Sequence, residues 1–394
     1  MKWNNKGSQL DEMRQVVLEK YSEGFFLYGA GILGIALSET LKKYGLCKGF
    51  VDNSSLKQGT TIAGLPVISY SEYMEQHRGV MLVITMSQDN TASIVKSLLA
   101  EGLVSGKDFE LRARFVQDIL PVLLWYKYRD VFLSLAQISL TERCTLKCKK
   151  CAHGCFNVPM DYPDLSFERA CASADNFFKY VDFIDEFVLI GGEPLLYKQL
   201  SEVVKYIGER YRDKMNIFSI TSNGTITPAD ELLSVCKKYN VMFRISNYTV
   251  SLPKLKKQHE KLAAKMAEYD VEMKLGLADH HWMDYGFDYV KRDCDDNELV
   301  AVFDACHTPC HEVQDDKFYY CVMAHTVANN LHFDVGKDDY FLLENLSGEP
   351  LEKRKALFLE YTLGYSDKGY LDMCRYCNGA DAKKYLIPVA EQAR

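Results

Sequence analysis

No stretch of this chain approaches the roughly 18 uninterrupted apolar residues that a membrane span requires; the best contender, Ile119 to Tyr126, is about eight long and runs into Lys127, Arg129 and Asp130. Met1 to Ser8 lacks the apolar core of a secretory signal. The expectation is a soluble, cytoplasmic protein with no membrane partner. A long basic stripe is missing too: 47 Lys and Arg against 54 Asp and Glu leave a formal net charge of −7. Binding a phosphate backbone needs concentrated positive charge, so no nucleic-acid partner is expected. Lys254, Lys256 and Lys257 read as a solvated helix face, and no internal repeat or low-complexity tract interrupts the 394 residues, enough for two to three domains.

Cysteine is abundant instead, at 13 residues. Without a secretion signal, thiolate ligands to metal are a better reading than disulfides. Cys144, Cys148, Cys151 and Cys155 crowd one short segment, while Cys306, Cys310, Cys321, Cys374 and Cys377 gather in the last third. Cys47, Cys171, Cys236 and Cys294 stand alone and read as small buried apolar residues.

Two α/β regions are expected. In residues 1–112 a strand at Phe25 to Tyr28, a turn from Gly29 through Gly31 to Gly34, a helix to Tyr44 and a second strand ending before Asp52 form a doubly wound, Rossmann-like unit. Gly29-x-Gly31-x-x-Gly34 with an acid about twenty residues on fits NAD or another nucleotide, Asp52 bonding a ribose hydroxyl. A docking domain that kept the fold and lost the ligand fits equally. Residues 113–134 read as a helical linker interrupted by Pro121. In residues 135–292, strands at Ala136 to Leu140, Glu186 to Ile190, Ile217 to Thr221, Met242 to Ser246 and Glu272 to Leu277 alternate with amphipathic helices. Such alternation requires a parallel sheet, open or closed into a barrel, with ligands beyond the carboxyl ends of its strands. Residues 293–394 form a cysteine-bearing, turn-rich segment with one helix near Pro350 to Leu363.

Cys144-x3-Cys148-x2-Cys151 follows the first of these strands on a loop that can wrap the corners of a cubane, leaving one iron open. Zinc is the competing occupant, with Cys155 able to supply the fourth thiolate. That spacing in that loop resembles the radical S-adenosylmethionine (SAM) superfamily over roughly Ala136 to Leu277. The resemblance implies a partial (β/α)6 barrel in which the three cysteines hold a 4Fe-4S cluster, its open iron chelated by SAM. Lys150 stands where relatives often carry an aromatic residue. Gly191-Gly192-Glu193-Pro194 resembles the element that contacts the amino group of SAM. Ser222, Asn223 and Ser246 look like positions that contact its ribose and carboxylate, and read equally as turn or capping residues.

The late cysteines resemble the twitch subclass of the SPASM/twitch group, which implies one auxiliary 4Fe-4S cluster on four of Cys306, Cys310, Cys321, Cys374 and Cys377; a zinc ribbon competes. Asp316 stands where relatives often have glycine. A fully ligated cluster offers a one-electron acceptor or a conduit. His280, His281 and Tyr285 follow the last barrel strand and are candidate pocket residues for substrate binding or proton transfer, against the simpler reading of a surface loop. His307, His311 and His325 are candidates for hydrogen bonds to cluster sulfurs. Together these imply a radical SAM oxidoreductase that cleaves SAM to a 5′-deoxyadenosyl radical, served by a flavodoxin- or ferredoxin-like electron donor. A sugar, aminosugar or nucleotide-linked sugar is the expected small-molecule substrate. A peptide-modifying enzyme and a non-catalytic zinc scaffold are the alternatives.

Overall fold

The computed structural model describes residues 8–393 apart from 87, 279–280, 287–290, 307, 309 and 347. The chain divides into two compact units, Gly7–Ser134 and Leu135–Arg394. The expected linker therefore lies within the first unit, and residues 135–292 and 293–394 share the second.

The first unit is built from α1 (Ser8–Tyr21), β1 (Phe25–Tyr28), α2 (Ile32–Lys43), β2 (Cys47–Val51), β3 (Thr61–Ile62), β4 (Leu65–Ile68), α3 (Tyr70–Gln76), β5 (Leu82–Ile84), α4 (Gln88–Ala100), β6 (Phe109–Leu111), α5 (Arg112–Arg114) and α6 (Leu120–Tyr128). The sheet order is β3-β4-β2-β1-β5-β6. All pairs are parallel except β3 with β4. Strand β1 reads Phe-Phe-Leu-Tyr and is buried along its whole length, as a parallel strand covered on both faces must be. Pro121 lies in a helical run that is continuous from α5 into α6, and the regular ladder gives way to a wider π-helical stretch just before it, where the proline's missing N–H and its ring are accommodated. A π-helical turn, Phe115–Ile119, leads into that helix.

The second unit contains β7 (Phe132–Ser139), α7 (Phe167–Tyr180), β8 (Phe183–Ile190), α8 (Leu200–Tyr211), β9 (Met215–Ser222), α9 (Asp230–Lys238), β10 (Val241–Ile245), α10 (Leu255–Glu268), β11 (Met273–Leu275), β12 (Trp282–Met283), α11 (Asp296–Ala305), β13 (His311–Gln314), β14 (Lys317–Tyr319), α12 (Thr326–Leu331), β15 (Tyr340–Leu342), α13 (Leu351–Thr362) and β16 (Leu386–Ile387). The main sheet runs β11-β10-β9-β8-β7-β13-β14-β15. Strands β8 to β11 are parallel, and β13 joins β7 in parallel. The sequence shows no strand at β13, since four residues between cysteines and a turn leave little periodicity to see.

The helices form because their apolar positions recur at helical spacing. On α7, Ala170, Ala174, Phe177 and Phe178 are buried, and Ser166 caps the helix by accepting from the Arg169 N–H. Phe177 and Phe187 are both fully buried, with rings 5.6 Å apart, tying α7 to β8. Among the described residues no helix is long and apolar enough to cross a membrane.

Candidate functional site

The carboxyl ends of the second unit's strands meet around a cavity of about 390 Å³. Cys144, Cys148 and Cys151 line it together with Gly191, Gly192, Ser222, Asn223, Ser246, His281 and Tyr285, so residues scattered over 142 positions share one space. His280 falls outside the described residues.

The loop carrying the three cysteines is held from several sides. Arg143 binds Asp164 through Nε and Nη2, at 2.9 and 2.6 Å, and donates to the Leu196 carbonyl. Gly192 N–H donates to the Thr141 carbonyl at 2.7 Å and Glu193 N–H to the Arg143 carbonyl at 2.8 Å. Here the glycines are required. A Cβ on Gly191, whose φ is +156°, would lie 2.3 Å from the Thr141 oxygen, and one on Gly192 would lie 2.3 Å from the Arg143 oxygen. Lys150 sits at φ +57°, a strained position for a side-chain-bearing residue, and its ammonium is 3.2 Å from Asp284.

Glu193 is fully buried and faces the chain itself. Its carboxylate accepts from the Ser222 hydroxyl at 2.9 Å, the Asn223 N–H at 2.8 Å and the Leu195 N–H at 3.1 Å. Burial raises its pKa above the ordinary carboxylate value despite these donors. Asn223 in turn points its amide at Cys144 Sγ, 3.4 Å away, and at the Thr145 hydroxyl. Pro194 opens a short 3-10 turn behind Glu193.

Two features escaped the sequence reading. Residues 391–393 lie antiparallel against the cysteine loop: Lys149 N–H donates to the Glu391 carbonyl, Ala393 N–H to the Lys147 carbonyl, and Gln392 Nε2 to Cys148 Sγ at 3.2 Å. Tyr248 and Trp282 form an aromatic wall, rings 5.6 Å apart and nearly perpendicular. Nothing in the sequence marks Gln392, because only the fold brings it near Cys148.

The donor set suits a thiolate-bound cluster. Sulfur ligands must be deprotonated, and N–H groups of Leu146 and Asn223 point at Cys144, and that of Gln392 at Cys148. Cys151 is lowered to about 5, chiefly by the Cys155 thiol donating to it, while burial pushes Cys144 up to about 11 and Cys148 to about 12. Cys155 is buried beside Cys151 on the same cavity. Among the described residues no three His, Cys, Asp or Glu gather to hold a single metal ion. A cubane presents its irons at separate corners and does not need its ligands to meet at a point.

The late cysteines gather in one buried region. Burial raises Cys321, and the charges of Cys377, Cys306 and Cys374 add to it; Cys374 and Cys377 both feel Cys306. Burial pushes Cys310 up to about 11, and it packs against the same buried cluster as Cys321 and Cys377. Gly379 N–H donates to Cys377 Sγ at 3.3 Å. Tyr285 lines the cavity and packs with Cys310, Cys321 and Cys377. His311 Nδ1 is bonded to the Tyr320 carbonyl and His325 faces Glu312, while His307 lies outside the described residues.

In the first unit, Gly34 is a close-packing glycine: a Cβ there would lie 2.0 Å from the Gly29 oxygen. Gly31 has nothing within 4 Å of such a Cβ. Asp52 accepts from the N–H groups of Ala30 and Ser54, each at 2.9 Å, and from Lys57 Nζ at 3.0 Å. Burial pushes its pKa up, but these partners outweigh it and hold the carboxyl below its ordinary value.

Residues 138–272 match the Radical SAM superfamily. No curated protein matches the chain. The solved structures similar to it include native anSMEcpe with bound AdoMet (17% identity, 36% of this chain and 43% of that one, TM-score 0.29). Another is BtrN in complex with AdoMet and 2-DOIA (16% identity, 67% and 98%, TM-score 0.38). A third is Streptococcus suis SuiB bound to precursor peptide SuiA (17% identity, 48% and 46%, TM-score 0.29). The radical SAM match spans β8 to β10 and holds all three cysteines of the first set; the chain spans 43% of the length of anSMEcpe.

Proposed function

We propose that this protein is a radical SAM oxidoreductase with one auxiliary cluster. The observation that carries the reading is the single cavity shared by Cys144, Cys148 and Cys151, the Gly191-Gly192 turn and Asn223, inside the segment that matches the superfamily. Cys144, Cys148 and Cys151 would hold a 4Fe-4S cluster, and Cys321, Cys374 and Cys377 with Cys306 or Cys310 would hold a second. When bound, the first cluster would supply the electron for reductive cleavage of SAM and so the radical chemistry at the substrate, and the second would supply a one-electron acceptor that makes the outcome a net oxidation.

The chain's own residues prepare that chemistry. Asn223 donates to Cys144 and Gln392 to Cys148, hydrogen bonds that favour the thiolates a cluster needs against the burial that opposes them. Gly191 and Gly192 allow β8 to clamp the loop, while Ser246, Tyr248 and Trp282 wall the cavity and exclude water from a reactive radical. His281 and Tyr285 stand at its edge as the groups available to substrate. The substrate is a sugar, aminosugar or nucleotide-linked sugar, and a flavodoxin- or ferredoxin-like protein delivers the electron. The first unit, whose Asp52 is engaged by its own loop, serves as a docking domain rather than as an NAD site.

Anaerobic reconstitution with iron and sulfide analysis tests this. About eight irons per chain fit two cubanes, and reductant plus SAM yields 5′-deoxyadenosine in the wild type and none in Cys144→Ala. Stoichiometric zinc without SAM cleavage establishes the scaffold reading instead, and turnover of a peptide establishes the peptide-modifying one.

A further inference from the structure

The short helical turn that carries Cys374, Asp372–Tyr376, starts after Leu371, a buried leucine whose side chain cannot accept a hydrogen bond. The first N–H groups of a helical turn have no partners within it, and an oxygen-bearing residue in the place of Leu371 would ordinarily cap them. Here the cap comes from 33 positions away: the Asp339 carboxylate accepts from the Asp372 N–H at 2.6 Å and from the Met373 N–H at 2.8 Å. Asp339 is fully buried and stands immediately before β15.

The segment leading to Asp339 is pressed onto the same turn, since a Cβ on Gly336 would lie 2.1 Å from the Asp372 carboxylate. On the outside Lys368 clips the two segments together, its ammonium 3.1 Å from Asp338 and 2.7 Å from Asp372. Met373 packs in one buried cluster with Cys310, Cys321 and Cys377, so the capped turn brings Cys374 to the other late cysteines.

A serine or asparagine would cap these N–H groups too, without the cost of burying a charge. Burial pushes Asp339 up to about 7, against the pull of the two N–H donors and of Lys368. Its charge reaches the cysteines: burial pushes Cys374 up to about 12, and the charges of Cys377 and Asp339 add to the rise. A negative charge beside an iron–sulfur cluster opposes an added electron and so lowers the reduction potential.

We propose that Asp339 is the positioning residue of the second cluster site: its carboxylate fixes the turn that presents Cys374 and sets a negative charge beside the cluster that keeps its potential low. A low potential makes the reduced cluster a ready donor. An electron taken from substrate then passes to the flavodoxin- or ferredoxin-like partner, which is reduced by one electron as the cluster is reoxidised. The inference rests on the reading of one auxiliary cluster above and names the residue that tunes it.

The test uses the full chain, reconstituted anaerobically, with iron and sulfide analysis and with redox titration followed by electron paramagnetic resonance at a pH where Asp339 is ionised. Wild type is expected to hold about eight irons per chain. Asp339→Ala leaves both N–H groups bare and is expected to hold about four, with the signal of the first cluster retained. Asp339→Asn keeps one acceptor and no charge; it is expected to hold part of the second cluster and to shift its reduction equilibrium about tenfold towards the reduced form, a rise of about 59 mV in a one-electron couple. Far-ultraviolet circular dichroism verifies that the variants fold, and Asp339→Ser supplies a second neutral cap. Loss of the second cluster alone in all three variants supports the inference by showing that the turn requires the charge itself. A full second cluster in Asp339→Ala, an unchanged midpoint in the neutral variants, or loss of both clusters together overturns it. A wild-type count of about four irons instead sinks the auxiliary-cluster reading, whereas about eight irons with an indifferent Asp339 sinks this inference alone.

Discussion

Two glycine turns at the ends of parallel strands, Gly29 to Gly34 and Gly191-Gly192, look alike in sequence: each follows a buried strand and is matched with an acid. In both, the chain itself takes up the acid. Asp52 caps Ala30 and Ser54 and pairs with Lys57, while Glu193 locks Ser222 and Asn223 to the end of β8. The difference lies in what the glycines face. Gly191 and Gly192 are pressed against the backbone of the cysteine loop, a separate segment, whereas Gly34 is pressed only on Gly29 of its own turn and a side chain on Gly31 would meet nothing. A glycine motif therefore marks close approach of backbone, and only the neighbours reveal whether a ligand or the chain makes that approach.

The sharpest way to break the comparison is to add one methyl group to each turn. Gly191→Ala must displace the Thr141 carbonyl, so a loss of about 3 kcal/mol or more and a fall in iron content are expected. Gly31→Ala is expected to cost about 1 kcal/mol or less, as a change of helix N-cap. Denaturant unfolding of both variants checks the contrast, and equal losses would erase it.

Next come the acids. Glu193→Gln turns an amide NH2 towards donors inside a buried site, at an expected cost of about 1–3 kcal/mol with lower cluster occupancy. Asp52→Asn keeps one acceptor for Ala30 and loses the partly exposed Lys57 pair, for about 1 kcal/mol or less. Because Asp52 has a folded pKa below its unfolded value, its stabilisation is present above about pH 4 and disappears as pH falls through the lower folded value. The first unit of Asp52→Asn should therefore lose less stability than the wild type on acidification; a parallel loss would show that Asp52 is not ionically held.

The smallest expected effect falls on Gln392. Its hydrogen bond to Cys148 draws charge from the sulfur and favours the reduced cluster, so Gln392→Leu should lower the reduction potential of the first cluster by about 20–60 mV, one ordinary hydrogen bond in a one-electron couple. Redox titration followed by electron paramagnetic resonance reads the shift. An unchanged potential would leave Gln392 a purely structural tether of the loop.

Much of the scaffold was legible because it rests on local pattern. The strand at Phe25 to Tyr28 appears where its unbroken apolar run places it, and β8 to β10 follow the expected spacing to within a few residues. The helix at Leu351–Thr362 was visible for the same reason. Strand β13 was not, because its four residues are held between the hairpin partner β14 and β7, about 170 positions earlier in the chain, and so short a strand has no periodicity of its own. The irregularity expected at Pro121 is present as a π-helical stretch immediately before it in an otherwise continuous helical run.

By itself the sequence determined the alternation of strand and helix, and with it the strand ends at which Cys144, Gly191, Asn223 and Ser246 stand, because alternating apolar periods admit few topologies. Only the tertiary structure decided which partners those residues meet. The amide of Gln392 reaches Cys148 across 244 positions, and Cys310, Cys321 and Cys377 pack against one buried cluster although they are drawn from segments more than fifty positions apart. Hydrogen bonding and packing act through space over a few ångströms, and no local pattern along a chain encodes which distant segment will arrive within that range.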